Sequence, residues 1–263
     1  LGVKLGQCTY CGFCERFGCG NYSKSSPQTC VLPALMRLTN FEARTESEVT
    51  KINLDSTGKR ATGVTYVDTS GEEWEQPADI VLLCAFSLFN VQLMLLSGIG
   101  KPYDPQTGQG VVGRNYAYQT TSSVSIILKD KMLNPFIATG AHGMIIDDYN
   151  GDNFDHSGLG FVGGGYMGAG QTGARPIQTR PVPKGTPKWG AQWKKATAET
   201  YQKAFSLSTH GSSYSYKDCY LDLDPTYKDR LGRPLMRMTF DFHDNELKMS
   251  AYLTERLAEI AKA

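Results

Sequence analysis

The chain has 263 residues, of which 40% are hydrophobic and 20% charged, with a formal net charge of +1. This is ordinary globular composition with room for one large domain or two modest ones. The near-neutral balance makes no electrostatic case for nucleic acid or an anionic membrane, and no apolar run reaches the roughly 18 residues that span a bilayer.

Cysteines dominate the start. Cys8, Cys11, Cys14 and Cys19 read C-x2-C-x2-C-x4-C, with Cys30 beyond them. Thiolates at this density ligate soft metal ions and iron–sulfur clusters. The first three repeat the tight spacing of ferredoxin-type runs, without the Cys-Pro that usually follows. Zinc sites favour two separated pairs, and disulfides within so short a loop cross-link little chain. Iron–sulfur is the preferred reading, with zinc and inert or disulfide-bonded thiols as the alternatives.

Ser25 to Gln28 is turn-rich, and Val31 to Leu38 suits a short helix. Phe41, Ala43 and Thr45 alternate with polar residues, and Val49, Ile52 and Leu54 continue that strand pattern. Val64–Val67 and Glu72–Gln76 follow, each after a turn, giving a small antiparallel meander. The period then changes. Ile80 to Cys84 is a continuous apolar run that predicts a strand covered on both faces, leading through Ala85 and Phe86 into a helix that ends at Leu96. A strand followed at once by a helix is the βα unit of an open α/β sheet, in which ligands gather at the carboxyl ends of strands. Cys84-Ala85-Phe86 is therefore a candidate ligand-facing turn.

Residues 101–115 read as a loop and a natural inter-domain passage. Strands are predicted at 123–128, 143–147, 204–209 and 220–223, and over Leu235 to Phe242. The stretch 157–173 carries eight glycines, Gly158 to Gly173, without the Lys-Ser/Thr of a phosphate loop, so a glycine-laced strand approached by a ligand or another backbone is expected. Thr186-Pro187 predicts a helix start with Trp189, Trp193 and Ala196 on one face. The last predicted helix, 245–263, places Met249, Leu253, Leu257 and Ile260 on one stripe, with Asp244 as its N-cap. The fold class is α+β. The chain opens on Leu1 without an initiator Met or signal-peptide pattern and stops inside that helix, which reads as an internal piece of a longer protein.

Four histidines offer acid–base candidates. His210 before Gly211 is the best active-site neighbour; His243 suits a helix start, and His142 and His156 suit loops. Asp147, Asp148, Asp152 and Asp155 lack the order and closing Glu of a calcium loop and read as a solvated acidic segment. Cys84 and Cys219 read as buried strand thiols. Tyr166, Tyr214 and Tyr220 suit aromatic packing or a sugar site.

These features together resemble the glucose–methanol–choline (GMC) family of flavin oxidoreductases, closest to the flavoprotein subunits of bacterial gluconate and sugar dehydrogenases. The matching stretches are Gln7 to Cys19, Pro33 to Arg37 with Asn40, Thr45 to Ile52, Arg60 to Val64, Leu95 to Gly100, Val112 to Asn115 and Leu221 to Arg237. The resemblance implies a 1–30 cysteine-rich iron–sulfur segment, the C-terminal part (31–118) of an FAD-binding α/β domain with its antiparallel meander, and a substrate-binding domain (119–263) built on an antiparallel sheet with flanking helices. It implies FAD near the backbone of Val49 at the adenine, near Ala85 at the pyrophosphate or ribose, and near Asn115 towards the flavin. It implies Cys8, Cys11, Cys14 and Cys19 as cluster ligands.

The family's FAD glycine motif precedes Leu1 and its catalytic His follows Ala263, so the chain itself carries no catalytic residue of that pattern. The intact protein is then expected to oxidise the CH–OH group of a sugar, sugar acid or polyol, passing hydride to flavin and electrons through the cluster to a cytochrome c subunit. A small subunit and a periplasmic, membrane-associated location through partners are further implications. This sequence departs from the family at Cys84 to Val91, at Tyr116 to Gln119 and at Ser212 to Tyr214. The alternatives are a standalone metal-binding or electron-transfer module and a non-catalytic remnant.

Overall fold

A computed structural model describes residues 4–11, 13–14, 17–134, 143–170 and 181–262. In chain order the elements are α1 (Pro27–Cys30), α2 (Leu32–Leu35), β1 (Glu48–Leu54), β2 (Ala61–Val67), β3 (Glu73–Pro77), α3 (Ser87–Leu96), β4 (Ser123–Ile127), β5 (Gly143–Ile146), β6 (Gly165–Gly170), α4 (Ala191–Thr200), β7 (Ala204–Gly211), β8 (Tyr220–Lys228), β9 (Pro234–Thr239) and α5 (Asp244–Ile260). The fold is a mixture of helices with antiparallel sheets, the α+β class expected. It divides into two compact units: residues 1–42, 119–213 and 243–263 form one, and 43–118 with 214–242 form the other. Residues 214–242, expected within the substrate-binding part, thus pack with the 43–118 segment. Among the described residues no helix is long and apolar enough to cross a membrane.

The second unit holds the predicted meander in the order β1-β2-β3, with Ile52 opposite Val64 and Tyr66 opposite Trp74. Alternation buries Thr65 and Val67 on one face of β2, while Ile52, opposite Val64, is buried on the other. The β1 strand begins at Glu48 rather than near Phe41, because its partner β2 ends at Val67 opposite Glu48 and no ladder is available before that pair. Helix α3 lies against β1. The Ser97 hydroxyl donates to Leu93 O at 2.6 Å and accepts from Ile52 N at 2.9 Å, tying the helix end to the sheet.

The expected strand Ile80–Cys84 is absent. No described strand pairs with it, and Ile80 and Leu82 are 78% and 80% exposed, so an apolar run without a ladder partner stays extended and open. Cys84 is exposed rather than a buried strand thiol, whereas Cys219 is buried, its Sγ 3.5 Å from Asp241 O. Residues 101–115 are packed rather than a free passage. Tyr103 and Val112 are buried, the Tyr103 hydroxyl donates to Lys217 O at 2.8 Å, and Leu221 N donates to Gly113 O at 2.7 Å. Gly113 has φ +90° and its Cα faces the Leu221 carbonyl, which leaves no room for a Cβ.

In the first unit a four-stranded antiparallel sheet runs β4-β7-β6-β5. The predicted stripe of α5 covers one face. Met249, Leu253 and Leu257 are fully buried against Phe161, Met167 and Leu207, and Ile260 packs at the edge. Burial of this kind contributes about 1.5–3 kcal/mol per large side chain. The N-cap of α5 is His243; Asp244 sits inside the first turn and pairs with Lys248. The glycine-rich stretch is approached by other backbone, as expected: a Cβ on Gly164 would strike Tyr149 O and one on Gly165 would strike His210 O. Helix α4 begins at Ala191 with Gly190 as N-cap, later than Thr186-Pro187, because residues 184–190 turn instead and leave Trp189 83% exposed. Asp147 and Asp155 accept hydrogen bonds from Asn150, Asn153 and Ser157 in local turns, which suits the solvated-loop reading. His142 and Gly173 lie outside the described residues.

Candidate cofactor site and cysteine loop

Two of the three residues assigned to FAD from the sequence meet at one cavity of the second unit. It has a volume of about 560 Å³. Strand β1 and the residue before it supply Ser47, Glu48 and Val49. Ala85 stands at the entry to α3. Phe89, Gln92, Leu93 and Leu96 follow at helical spacing along a single face of that helix. The β8–β9 hairpin closes the site with Asp229, Arg233 and Leu235.

The entry to α3 is held by its own sequence. Ala85 N donates to Asn90 Oδ1 at 2.9 Å, and Asn90 Nδ2 donates to Leu83 O at 3.2 Å, so one amide side chain fixes the turn on both sides. Phe86 takes φ +74°, a conformation that costs a non-glycine residue energy and recurs at functional turns. Gln92 Nε2 donates to Pro234 O at 3.2 Å and ties the helix to the hairpin.

Charge is concentrated at the hairpin side. Glu48 accepts from both Arg230 and Arg233. The Arg233 hydrogen bond, chiefly, holds the Glu48 carboxyl below the usual carboxylate range in spite of partial burial. Arg233 Nε donates to Asp229 Oδ2 at 2.7 Å, and Asp229 Oδ1 accepts from Leu231 N at 2.8 Å and Arg233 N at 3.0 Å. Burial pushes Asp229 up, but these donors outweigh it and leave the carboxyl below its ordinary value. Arg233 stays charged: the two carboxylates more than offset its desolvation.

Asn115 does not line this cavity. It has φ +60°, and its Oδ1 is buried without a hydrogen-bond partner among the described residues. A buried orphan acceptor of this kind suits a donor from a bound group. The chemistry of this unit therefore fits a dinucleotide cofactor: an apolar helical wall, the exposed residues Val49 and Ala85, a fixed polar rim and an unsatisfied acceptor.

The four N-terminal cysteines lie in a loop of the first unit and are free thiols. Tyr10 N donates to Cys8 Sγ at 3.3 Å, and Lys24 Nζ donates to Cys14 O at 2.6 Å. Backbone donors from Lys24, then Ser23, pull the Cys19 thiol below its ordinary pKa, favouring thiolate. The donor chemistry suits a soft metal; among the described residues no three of these sulfurs lie within 4.8 Å of one another, the reach of a single shared ion.

His210 lies on β7 opposite Tyr166 of β6, the two rings stacked at 5.0 Å and 13°. Within the second unit Tyr220 packs edge-on against Tyr103. His156 meets Phe154 edge-on and stacks on Phe161, a packing role. Glu48, Asp229, Arg233 and Gln92 were not legible as site residues. The turn at Leu231 to Pro234 was visible, but its two arginines find their carboxylate across more than 180 residues.

Residues 3–121 match the family model described as GMC oxidoreductase. Over residues 3–121 the chain is of this family. It is 49% identical over all 263 residues to the gluconate 2-dehydrogenase flavoprotein of Pantoea cypripedii, covering 43% of that protein. It is 25% identical over 252 residues, 95% of its length, to 2-methyl-1,2-propanediol dehydrogenase of Mycolicibacterium austroafricanum, covering 45% of it. Among solved structures it is similar to a formate oxidase of Aspergillus oryzae RIB40 studied for FAD modification, with TM-score 0.41, 17% identity, and coverage of 81% of this chain and 42% of that one. The chain thus spans under half the length of the curated relatives it matches.

Proposed function

We propose that this chain is part of an FAD-dependent dehydrogenase that oxidises a CH–OH group of a sugar, sugar acid or polyol, gluconate being the first substrate to test. Two observations support the reading together: Val49 and Ala85, both assigned to FAD through the family resemblance, border the same cavity, and the chain is half identical throughout to a gluconate 2-dehydrogenase flavoprotein.

FAD, when bound, supplies a two-electron acceptor for the substrate's hydride. The residues of this chain bind and orient. The α3 wall and Val49 would hold the adenosine end, Asn90 fixes the Ala85 turn, and Asn115 Oδ1 would offer the cofactor a hydrogen-bond acceptor. His210, held by its stack on Tyr166, is the proposed active-site neighbour; no proton-transferring base is assigned to this chain. A cytochrome c subunit, a small subunit and a periplasmic, membrane-associated setting belong to the same reading.

The cysteines carry a second reading, a metal-binding or iron–sulfur relay through Cys8, Cys11, Cys14 and Cys19. It is favoured by their spacing and by the thiolate-favouring surroundings of Cys19. No electron step is derived through it.

The test is anaerobic addition of gluconate and related polyols to the full-length protein while its visible spectrum is followed, with iron and zinc determined on the same sample. Bleaching of flavin bands by gluconate supports the dehydrogenase. A protein with flavin that no polyol reduces contradicts the substrate class. Stoichiometric iron supports the relay, and its absence from anaerobically purified protein removes that second reading.

A further inference from the structure

We propose that Arg233 reads the purine of the ligand in the second-unit cavity, its Nη1 edge donating to an acceptor nitrogen of an adenine ring. The proposal rests on the cavity being the adenosine site of FAD. Arginine carries five N–H donors in a rigid fork. Here Nε is taken by Asp229, and Nη2 is shared between Asp229 Oδ2 at 2.7 Å and Glu48. Nη1 has no hydrogen-bond partner among the described residues, and Arg233 lines the cavity. The guanidinium is therefore gripped on one side and carries a spare pair of donors on the other.

The surroundings narrow what it can meet. Glu48 and Asp229 balance Arg230 and Arg233, so the cluster is neutral overall and offers no attraction specific to phosphate. Beside it the wall is apolar and includes the exposed ring of Phe89, which suits the flat face of a base. An apolar, partly aromatic wall with a fixed two-donor edge is complementary to a heteroaromatic ring bearing an acceptor nitrogen. Asp229 and Glu48 are positioning residues in this account, and Arg233 touches the ligand.

The experiment is calorimetric titration of the flavin-free full-length protein with ADP. Arg233→Gln is expected to weaken ADP about tenfold, the order set by losing a charge-assisted hydrogen bond. Arg233→Lys, which keeps the charge but loses the fork, is expected to stay at least ~3-fold weaker than wild type. Arg230→Gln breaks the other ion pair to Glu48 and is expected to leave ADP affinity unchanged. Equal weakening by Arg230→Gln and Arg233→Gln would reduce the effect to loss of network structure and overturn the proposal. Wild-type affinity in Arg233→Gln would overturn it as well.

Ala85→Trp separates the two levels. If it binds ADP normally, the cavity is not the adenosine site and the underlying reading fails. If it blocks ADP while Arg233→Gln does not weaken it, only the role of Arg233 falls. Should the arginine variants not fold, wild-type protein titrated with 1-deaza, 3-deaza and 7-deaza ADP answers the same question. One analogue is expected to bind about tenfold weaker, and equal binding of all three would refute the proposal.

Discussion

Single side chains settle the local geometry of this chain through their hydrogen bonds. The Asp68 carboxylate accepts from the Ser70 hydroxyl and backbone, from the Trp74 indole at 2.9 Å and from Glu72 N. Ser70 first, then Trp74, draw its pKa down from the ordinary carboxylate range to about 2. A depressed carboxylate contributes stability above its unfolded value and loses it as pH falls through its folded value. The Trp74 indole N–H resonance is therefore expected to shift with a midpoint near pH 2, and Asp68→Asn should remove that transition. A midpoint near pH 4, the ordinary Asp range, would contradict the contact. Arg230 is different: its side chain is 66% exposed, so solvent screens its pair with Glu48. Arg230→Gln should change stability by less than ~1 kcal/mol in urea unfolding. At this scale the cysteine spacing was legible, but the placing of the sulfurs was not, because loop conformation rather than spacing decides whether thiols converge. Arg233 was invisible as a site residue for a similar reason: its carboxylate partners depend on tertiary pairing of distant segments.

Elements were legible where a repeating pattern meets a partner. The α5 stripe was readable because Met249, Leu253 and Leu257 recur at helical spacing and the β4-β7-β6-β5 sheet offers a face to receive them. Leu253→Ala should destabilise the protein by ~2–5 kcal/mol, measured by equilibrium unfolding, since the side chain is fully buried in that cluster. A loss below 1 kcal/mol, less than the usual range for such truncations, would mean that α5 does not seal this face. The run Ile80–Cys84 shows the opposite case. Its composition suits a covered strand, yet strand formation needs a ladder, and no described strand provides one. The α4 start failed through local chemistry: Thr186-Pro187 resembles a helix entry, but Gly185 and Gly190, both at positive φ, turn the chain before helical hydrogen bonding begins at Ala191.

Across the whole molecule, sequence order and spatial grouping part company. The hairpin β8–β9 follows the sheet of the first unit in the chain but packs on α3 in the second, and its turn reaches Glu48 of β1. That return explains how Glu48, Arg233 and the α3 face come to border one cavity, and why the candidate site was only half legible: Val49 and Ala85 could be assigned through family resemblance, while the hairpin's share could not. Gly113 joins these segments, its Cα facing the Leu221 carbonyl. Gly113→Ala should destabilise the second unit by about 1–3 kcal/mol through strain at positive φ and crowding, and weaken FAD retention with it.

The central claim is that the cavity between β1, α3 and the β8–β9 hairpin holds the adenosine end of FAD. The most direct test is photolabelling of the full-length protein with 8-azido-adenine FAD, followed by peptide mapping. Label is expected on peptides covering residues 47–49, 85–96 or 229–235, suppressed by excess FAD. Saturable label confined to other peptides, with these three unmarked, would contradict it.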